Sequence, residues 1–165
     1  MKKIRYDRVF ITIMIFIVIV FVFIYLAMNR SRVYEYEGNI DTYTGTYRQD
    51  DKIYTFDLKA FVLDDEYYVS LNDMYNIMVI LDKDTKVYLD YDKHTMTYMM
   101  SDMTYYFDFG HDKIMSKNET IDLQKNDTHI YISHKNVYLS VSFIEKILLK
   151  NEKSIQFENA NAIIQ

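Results

Sequence analysis

Phe61-Val62-Leu63-Asp64-Asp65-Glu66-Tyr67-Tyr68-Val69-Ser70-Leu71 aligns without a gap, at an offset of 70, with Tyr131-Ile132-Ser133-His134-Lys135-Asn136-Val137-Tyr138-Leu139-Ser140-Val141. Each stretch reads as a strand, a three-residue polar turn, a strand and the start of a helix. A further strand follows each helix, Leu89-Asp90-Tyr91 and Ile155-Gln156-Phe157, now at an offset of 66. Solenoid repeats run to about 20–50 residues, so this period is too long for one. It predicts two pseudo-symmetric halves of one small domain.

Working outward, the period changes at each helix. Leu71, Met74, Tyr75 and Met78 share one helical face. Ser70 and Asp73 have capping-box spacing, with Asp in the usual Glu position. In the second copy Val141, Ile144 and Leu148 share a face, and Ser142 with Glu145 repeats the box. Elsewhere the period is two. Tyr54, Phe56 and Leu58 alternate with polar residues, as do Val87, Leu89 and Tyr91, and Tyr105, Phe107 and Phe109. Such alternation implies sheet with one buried face. Asp64-Asp65-Glu66, Asp92-Lys93-His94 and His134-Lys135-Asn136 read as hairpin turns made without Pro or Gly. Residues 29–50 are polar, with scattered Tyr and two of the three glycines, Gly38 and Gly45. They read as a stalk that pairs as a strand at most near its end, leaving residues 51–165 as the domain.

The N-terminus is a separate object. Val9 to Met28 reads VFITIMIFIVIVFVFIYLAM, without one charge. As a helix it rises about 30 Å, the thickness of the hydrocarbon core. Lys2, Lys3, Arg5 and Arg8 precede it, while only Arg30 and Arg32 follow closely. The positive-inside rule then puts a basic tail, residues 1–8, in the cytoplasm and the C-terminal domain outside the cell membrane. A cleaved signal peptide is the rival reading. Its apolar region is about 7–15 residues and ends in a small-x-small site; here the run is longer and ends Leu26-Ala27-Met28-Asn29. The expectation is an uncleaved single-pass transmembrane anchor at 9–28.

Composition narrows the function. The chain has 165 residues and a net charge of −5. Removing residues 1–28 takes away four basic side chains and one acidic one, so the remainder carries −8. That balance argues against nucleic acid as a partner and against lying on an anionic surface. Without cysteine there are no disulfides, thiolate zinc sites or iron–sulfur clusters.

Candidate chemistry is thin. Asp82 and Asp84, and Asp90 and Asp92, place carboxylates two apart, but neither segment has the sixth-position Gly of a calcium loop. They read as solvated turn charge. His94, His111, His129 and His134 are scattered, so no metal site is expected. Asp108-Phe109-Gly110 matches a kinase tripeptide without the other kinase motifs, and Phe109 reads as an inward strand residue. No catalytic residue, cofactor or metal ligand is assigned. Tyr88 and Tyr106 are the positive signal. Alternation puts both on the face away from the core, where flat rings can stack on sugars or be covered by a further layer.

A hairpin ending Tyr68-Val69-Ser70-Leu71 or Tyr138-Leu139-Ser140-Val141, then a short amphipathic helix and more strands, resembles the copper amine oxidase N-terminal-like domain of bacterial extracytoplasmic proteins. The resemblance covers about residues 50–165. Ser70 and Ser140 stand where that family usually has Pro, and no Gly closes either helix. A basic tail, an anchor and this module together also resemble the leader region of Firmicute glycoside hydrolase family 18 proteins. The resemblance implies an envelope module and neither copper nor oxidase activity. The family 18 signature D-x-x-D-x-D-x-E is absent from the sequence.

The expected fold is therefore α+β: a curled antiparallel sheet packed on one or two short helices, in two pseudo-symmetric halves, preceded by a single transmembrane helix. The expected role is a non-catalytic, membrane-tethered extracytoplasmic module that spaces, docks or binds cell-wall glycan, or engages another envelope protein. The alternative is the leader region of a chitin- or peptidoglycan-cleaving enzyme whose catalytic barrel would lie beyond Gln165.

Overall fold

The computed structural model describes residues 6–28, 31–150 and 152–165. The chain divides into two units, Met1–Ser31 and Arg32–Gln165. The first holds helix α1 (Tyr6–Met28). Its segment Val9–Ala27 has a mean hydropathy of 3.3, and none of its residues is buried within the chain. By length and composition it can cross a membrane, as an anchor or a signal sequence can. Of the basic tail, Lys2, Lys3 and Arg5 lie outside the described residues.

The second unit is mostly sheet. Its strands are β1 (Tyr34–Glu35), β2 (Asp41–Gln49), β3 (Lys52–Leu63), β4 (Glu66–Ser70), β5 (Lys86–Asp90), β6 (Thr95–Met99), β7 (Thr104–Asp108), β8 (Lys113–Met115), β9 (Thr120–Asp122), β10 (Tyr131–Ser133), β11 (Asn136–Ser140), β12 (Ile155–Glu158) and β13 (Asn161–Ile164). Helix α2 (Leu71–Leu81) follows β4 and α3 (Val141–Ile147) follows β11. The strands form two open sheets rather than the single antiparallel sheet expected. One is eight-stranded, in the order β1-β10-β11-β4-β3-β2-β13-β12; the other is a five-stranded meander, β5-β6-β7-β8-β9. The large sheet is mixed, since β1 pairs parallel with β10 and β13 parallel with β2. The meander is joined through short local hairpins. The long-range parallel pairs join segments that no hairpin could bring together.

The strand pairing read near the end of the polar stretch is present, and the described residues before it also contact the rest of the unit. β2 pairs with β3 over nine residues, from Asp41↔Ala60 to Gln49↔Lys52. Upstream, the Arg32 amide donates to the Gly110 carbonyl at 2.7 Å. The Tyr36 ring stacks on Phe61 at 3.7 Å. Aromatic burial and strand pairing tie this polar stretch down, and neither leaves a trace in its local hydropathy.

The two hairpin turns of the repeat are tighter than expected. Only Asp64-Asp65 and His134-Lys135 lie between the strands; Glu66 and Asn136 already belong to β4 and β11. All four turn residues have positive φ, at 51° and 63° and at 48° and 62°. That is the requirement of a type I′ turn, whose twist matches that of the flanking strands.

The capping differs between the copies. Ser70 Oγ accepts from the Asp73 amide at 3.2 Å, as the spacing predicts. Asp73 does not complete the box; its carboxylate accepts from the Lys59 amide on β3 at 3.0 Å. At α3 the N-cap is Ser140, and its side chain makes no cap bond. Ser142 donates to Glu66 Oε1 at 2.6 Å, and Glu145 accepts from the Ile155 amide at 2.6 Å. The second expected box is therefore spent on tertiary bonds.

The core lies between the sheets and helices. Leu71, Met74, Ile77 and Met78 are the buried residues of α2. From the small sheet come the cross-strand rows Val87–Tyr98–Tyr105 and Leu89–Met96–Phe107–Ile114–Ile121. The Tyr98 hydroxyl donates to the Leu71 carbonyl, fastening β6 to the first turn of α2.

Candidate functional site

The five-stranded sheet has one face in the core and one turned outward. On β5 and β7 the odd positions Val87, Leu89, Tyr105 and Phe107 face inward, so Tyr88 and Tyr106 face out. Register sharpens this. Tyr88 lies opposite Thr97, Thr97 opposite Tyr106, and Tyr106 opposite Met115. Directly paired residues share a face, so the two tyrosines stand in one row, two strands or about 10 Å apart. Thr97, short and branched, separates them. Tyr88 is 58% exposed and Tyr106 is half-buried.

The row is flanked by charge. Asp90, Thr95, Asp108, Lys113 and Asp122 form the neighbouring row on the same face. Asp90 accepts from the Lys93 amide at 3.1 Å and pairs with its ammonium at 3.1 Å. The Lys93 side chain holds the Asp90 carboxyl below its usual range. Beyond β5 lies a depression of about 360 Å³, lined by Lys86, Val87, Tyr88, Asn72 and Tyr75. Tyr75 was expected on the buried face of α2; it is 39% exposed, and Ile77 is buried instead. Four helical residues span slightly more than one turn, so Tyr75 rotates to the rim while Leu71 and Met74 stay inside. A flat apolar ring at Tyr88, a second at Tyr106 and a hydroxyl between them can hold a ligand with alternating apolar and polar faces.

The other candidates are spent on structure. Asp82 accepts from the Ser101 amide at 2.6 Å, the Ser101 hydroxyl at 2.7 Å and the Asp84 amide at 3.0 Å. Those Ser101 bonds, backbone first, hold its carboxyl below the usual range. The Asp82–Asp84 and Asp90–Asp92 pairs thus serve turns. His94 sits at φ 54° beside Phe109, His111 bonds to Asp108 at 2.9 Å, and His134 lies in its hairpin turn. Phe109 is fully buried, as a strand-end core residue.

His129 has a role that the sequence did not signal. Its Nδ1 meets Asp112 Oδ2 at 2.8 Å, and Asp112 Oδ1 accepts from the Ile130 amide at 2.9 Å. Asp112 is fully buried and adopts φ 50°. On its other side the His129 ring stacks on Tyr34 at 3.9 Å, and the Arg32 guanidinium lies 5.1 Å over Tyr34. These groups join the start of the unit to loops that are distant in sequence. Each residue alone reads as ordinary loop polarity.

Comparison of the chain with protein-family models, with curated proteins and with solved structures gives no match.

Proposed function

We propose that this chain is a non-catalytic, membrane-tethered extracytoplasmic module that docks cell-wall glycan on the outer face of its small sheet. The observation that carries the reading is the Tyr88–Thr97–Tyr106 row on one solvent-facing surface. Sugar rings present flat C–H faces to aromatic rings and hydroxyls to polar neighbours, so two tyrosines flanking a threonine match a short run of glycan. The apolar segment Val9–Ala27 supports the tether. The basic residues before it favour a cytoplasmic N-terminus. The resemblance to copper amine oxidase N-terminal-like modules rests on the repeated sequence stretches at 61–71 and 131–141.

The test is retention of the detergent-solubilised full chain on peptidoglycan and chitin, beside a Tyr88→Ala/Tyr106→Ala variant. Two stacking contacts at about 0.5–1.5 kcal/mol each predict a loss of roughly five- to 150-fold. If no polymer retains the unsubstituted chain, glycan docking is wrong. A reporter fused after Gln165 tests the tether: activity confined to the cytosol overturns the orientation.

A further inference from the structure

Strand β5 is the outermost strand of the five-stranded sheet, hydrogen-bonded to β6 along one edge and to no described strand along the other. An unpaired edge is a template for another strand. With five residues β5 is a longer edge than β9, with three, and a depression runs beside Lys86, Val87 and Tyr88, with Asn72 and Tyr75 of α2 as its other wall.

Its sequence chooses the partner. Lys86, Tyr88 and Asp90 alternate onto the outer face. If a second β5 runs antiparallel about a twofold axis at Tyr88, Lys86 of each copy lies opposite Asp90 of the other, and the two Tyr88 side chains meet. Both cross-strand charge pairs are then attractive, an arrangement that is self-complementary by symmetry. Lys86 has no ion-pair partner among the described residues. Among the described residues Asp90 forms its ion pair with the exposed Lys93, and such a pair is weak enough to share. A parallel pairing, or one centred on Val87 or Leu89, forfeits these matches.

We propose that β5 is a homodimerisation edge, through which two copies of this chain join their small sheets into one ten-stranded sheet. The antiparallel β5 pair aligns the two Tyr88–Thr97–Tyr106 rows end to end across the dyad. That consequence alone rests on the glycan reading; the dimer itself does not.

The chain has no cysteine, so a single introduced thiol reports one position. Residues on a dyad sit with Cβ atoms about 4.5–5.5 Å apart, close to disulfide range. In the membrane-inserted full chain, Tyr88→Cys should oxidise to a covalent dimer. Tyr106→Cys, two strands from the axis, should remain at least tenfold less cross-linked. Adding Lys86→Glu to Tyr88→Cys sets like charges opposite each other and should cut the yield about tenfold. Adding Lys117→Glu, the same charge change in the loop between β8 and β9 at the other edge of the sheet, should leave it unchanged. Equal cross-linking at positions 88 and 106, or equal effects of the two charge reversals, overturns the proposal. So does a Tyr88→Cys chain that stays monomeric, the result expected if the edge takes a different peptide strand. Glycan retention is read separately, so failure of one proposal does not imitate failure of the other.

Discussion

Val69 and Leu139 lie directly opposite each other in the antiparallel pair β4–β11, although seventy positions separate them in the chain. Both are fully buried. Each occupies the same place in its copy of the repeated stretch, so the copies meet at equivalent residues. The next pairs, Ser70↔Tyr138 and Tyr68↔Ser140, exchange places across that point. Side chains follow the same logic. Asn72, the second residue of α2, accepts from the Val137 amide at 3.0 Å, and Ser142, the second residue of α3, donates to Glu66. Each helix thus reaches across the join to the opposite hairpin.

The join should therefore be costly to open. Leu139→Ala removes a fully buried side chain from the core and should destabilise the second unit by about 2–5 kcal/mol. Urea unfolding followed by circular dichroism measures this. A shift below about 1 kcal/mol would mean that the join contributes little to stability.

The turn at His134-Lys135 carries a removable strain. Lys135 holds φ 62°, a region that costs a side-chain-bearing residue about 1–2 kcal/mol. Lys135→Gly relieves that cost, less the extra chain entropy lost by glycine on folding. The expected outcome is a gain of up to about 1 kcal/mol, seen as a rise of a few degrees in Tm. A fall in Tm would show that the lysine makes a compensating contact.

Gly45 is the reverse case, where space and not φ demands glycine. It pairs with Phe56, and a Cβ built on it would collide with the Phe56 ring. Gly45→Ala should displace that ring and destabilise by about 1–3 kcal/mol. In a Phe56→Ala background the same change should cost little. Additive effects in the double-mutant cycle would contradict the clash.

The buried tyrosines predict an alkaline limit. Burial, first among the causes, pushes the Tyr68 and Tyr138 phenols up to about 12 from an ordinary 10.0, and pushes Tyr98 higher still. A folded-state value above the unfolded one means that the folded chain favours the protonated phenol. That contribution is present in full below pH 10 and is lost as pH rises towards 12. Urea midpoints should fall through that interval, and less steeply in a Tyr98→Phe variant. A flat profile to pH 12 would refute the burial of these hydroxyls.

Much of the local structure was legible. The apolar run at 9–28, the start of α2 at Ser70 and the alternation in β3, β5 and β7 depend only on near neighbours. Periodicity and capping report those directly. Tyr88 and Tyr106 could be placed on an outer face for the same reason. Tyr75 lies at the rim of the apolar face of α2, and spacing alone does not say which edge of that face turns furthest inward. The Asp112–His129–Tyr34 contact had no local signal, since its members come from three separate segments.

From residues alone follow a membrane-length apolar helix, a sheet-rich remainder and a repeated hairpin–helix unit, because each is encoded in spacings of a few positions. The tertiary structure alone decided that the strands divide into two sheets, that β1 and β2 join the larger one, and that β5 is left at an edge. Those outcomes turn on which distant segments win each other's backbone hydrogen bonds. Loop closure and shared burial settle that competition, and neither is visible within any short window of the chain.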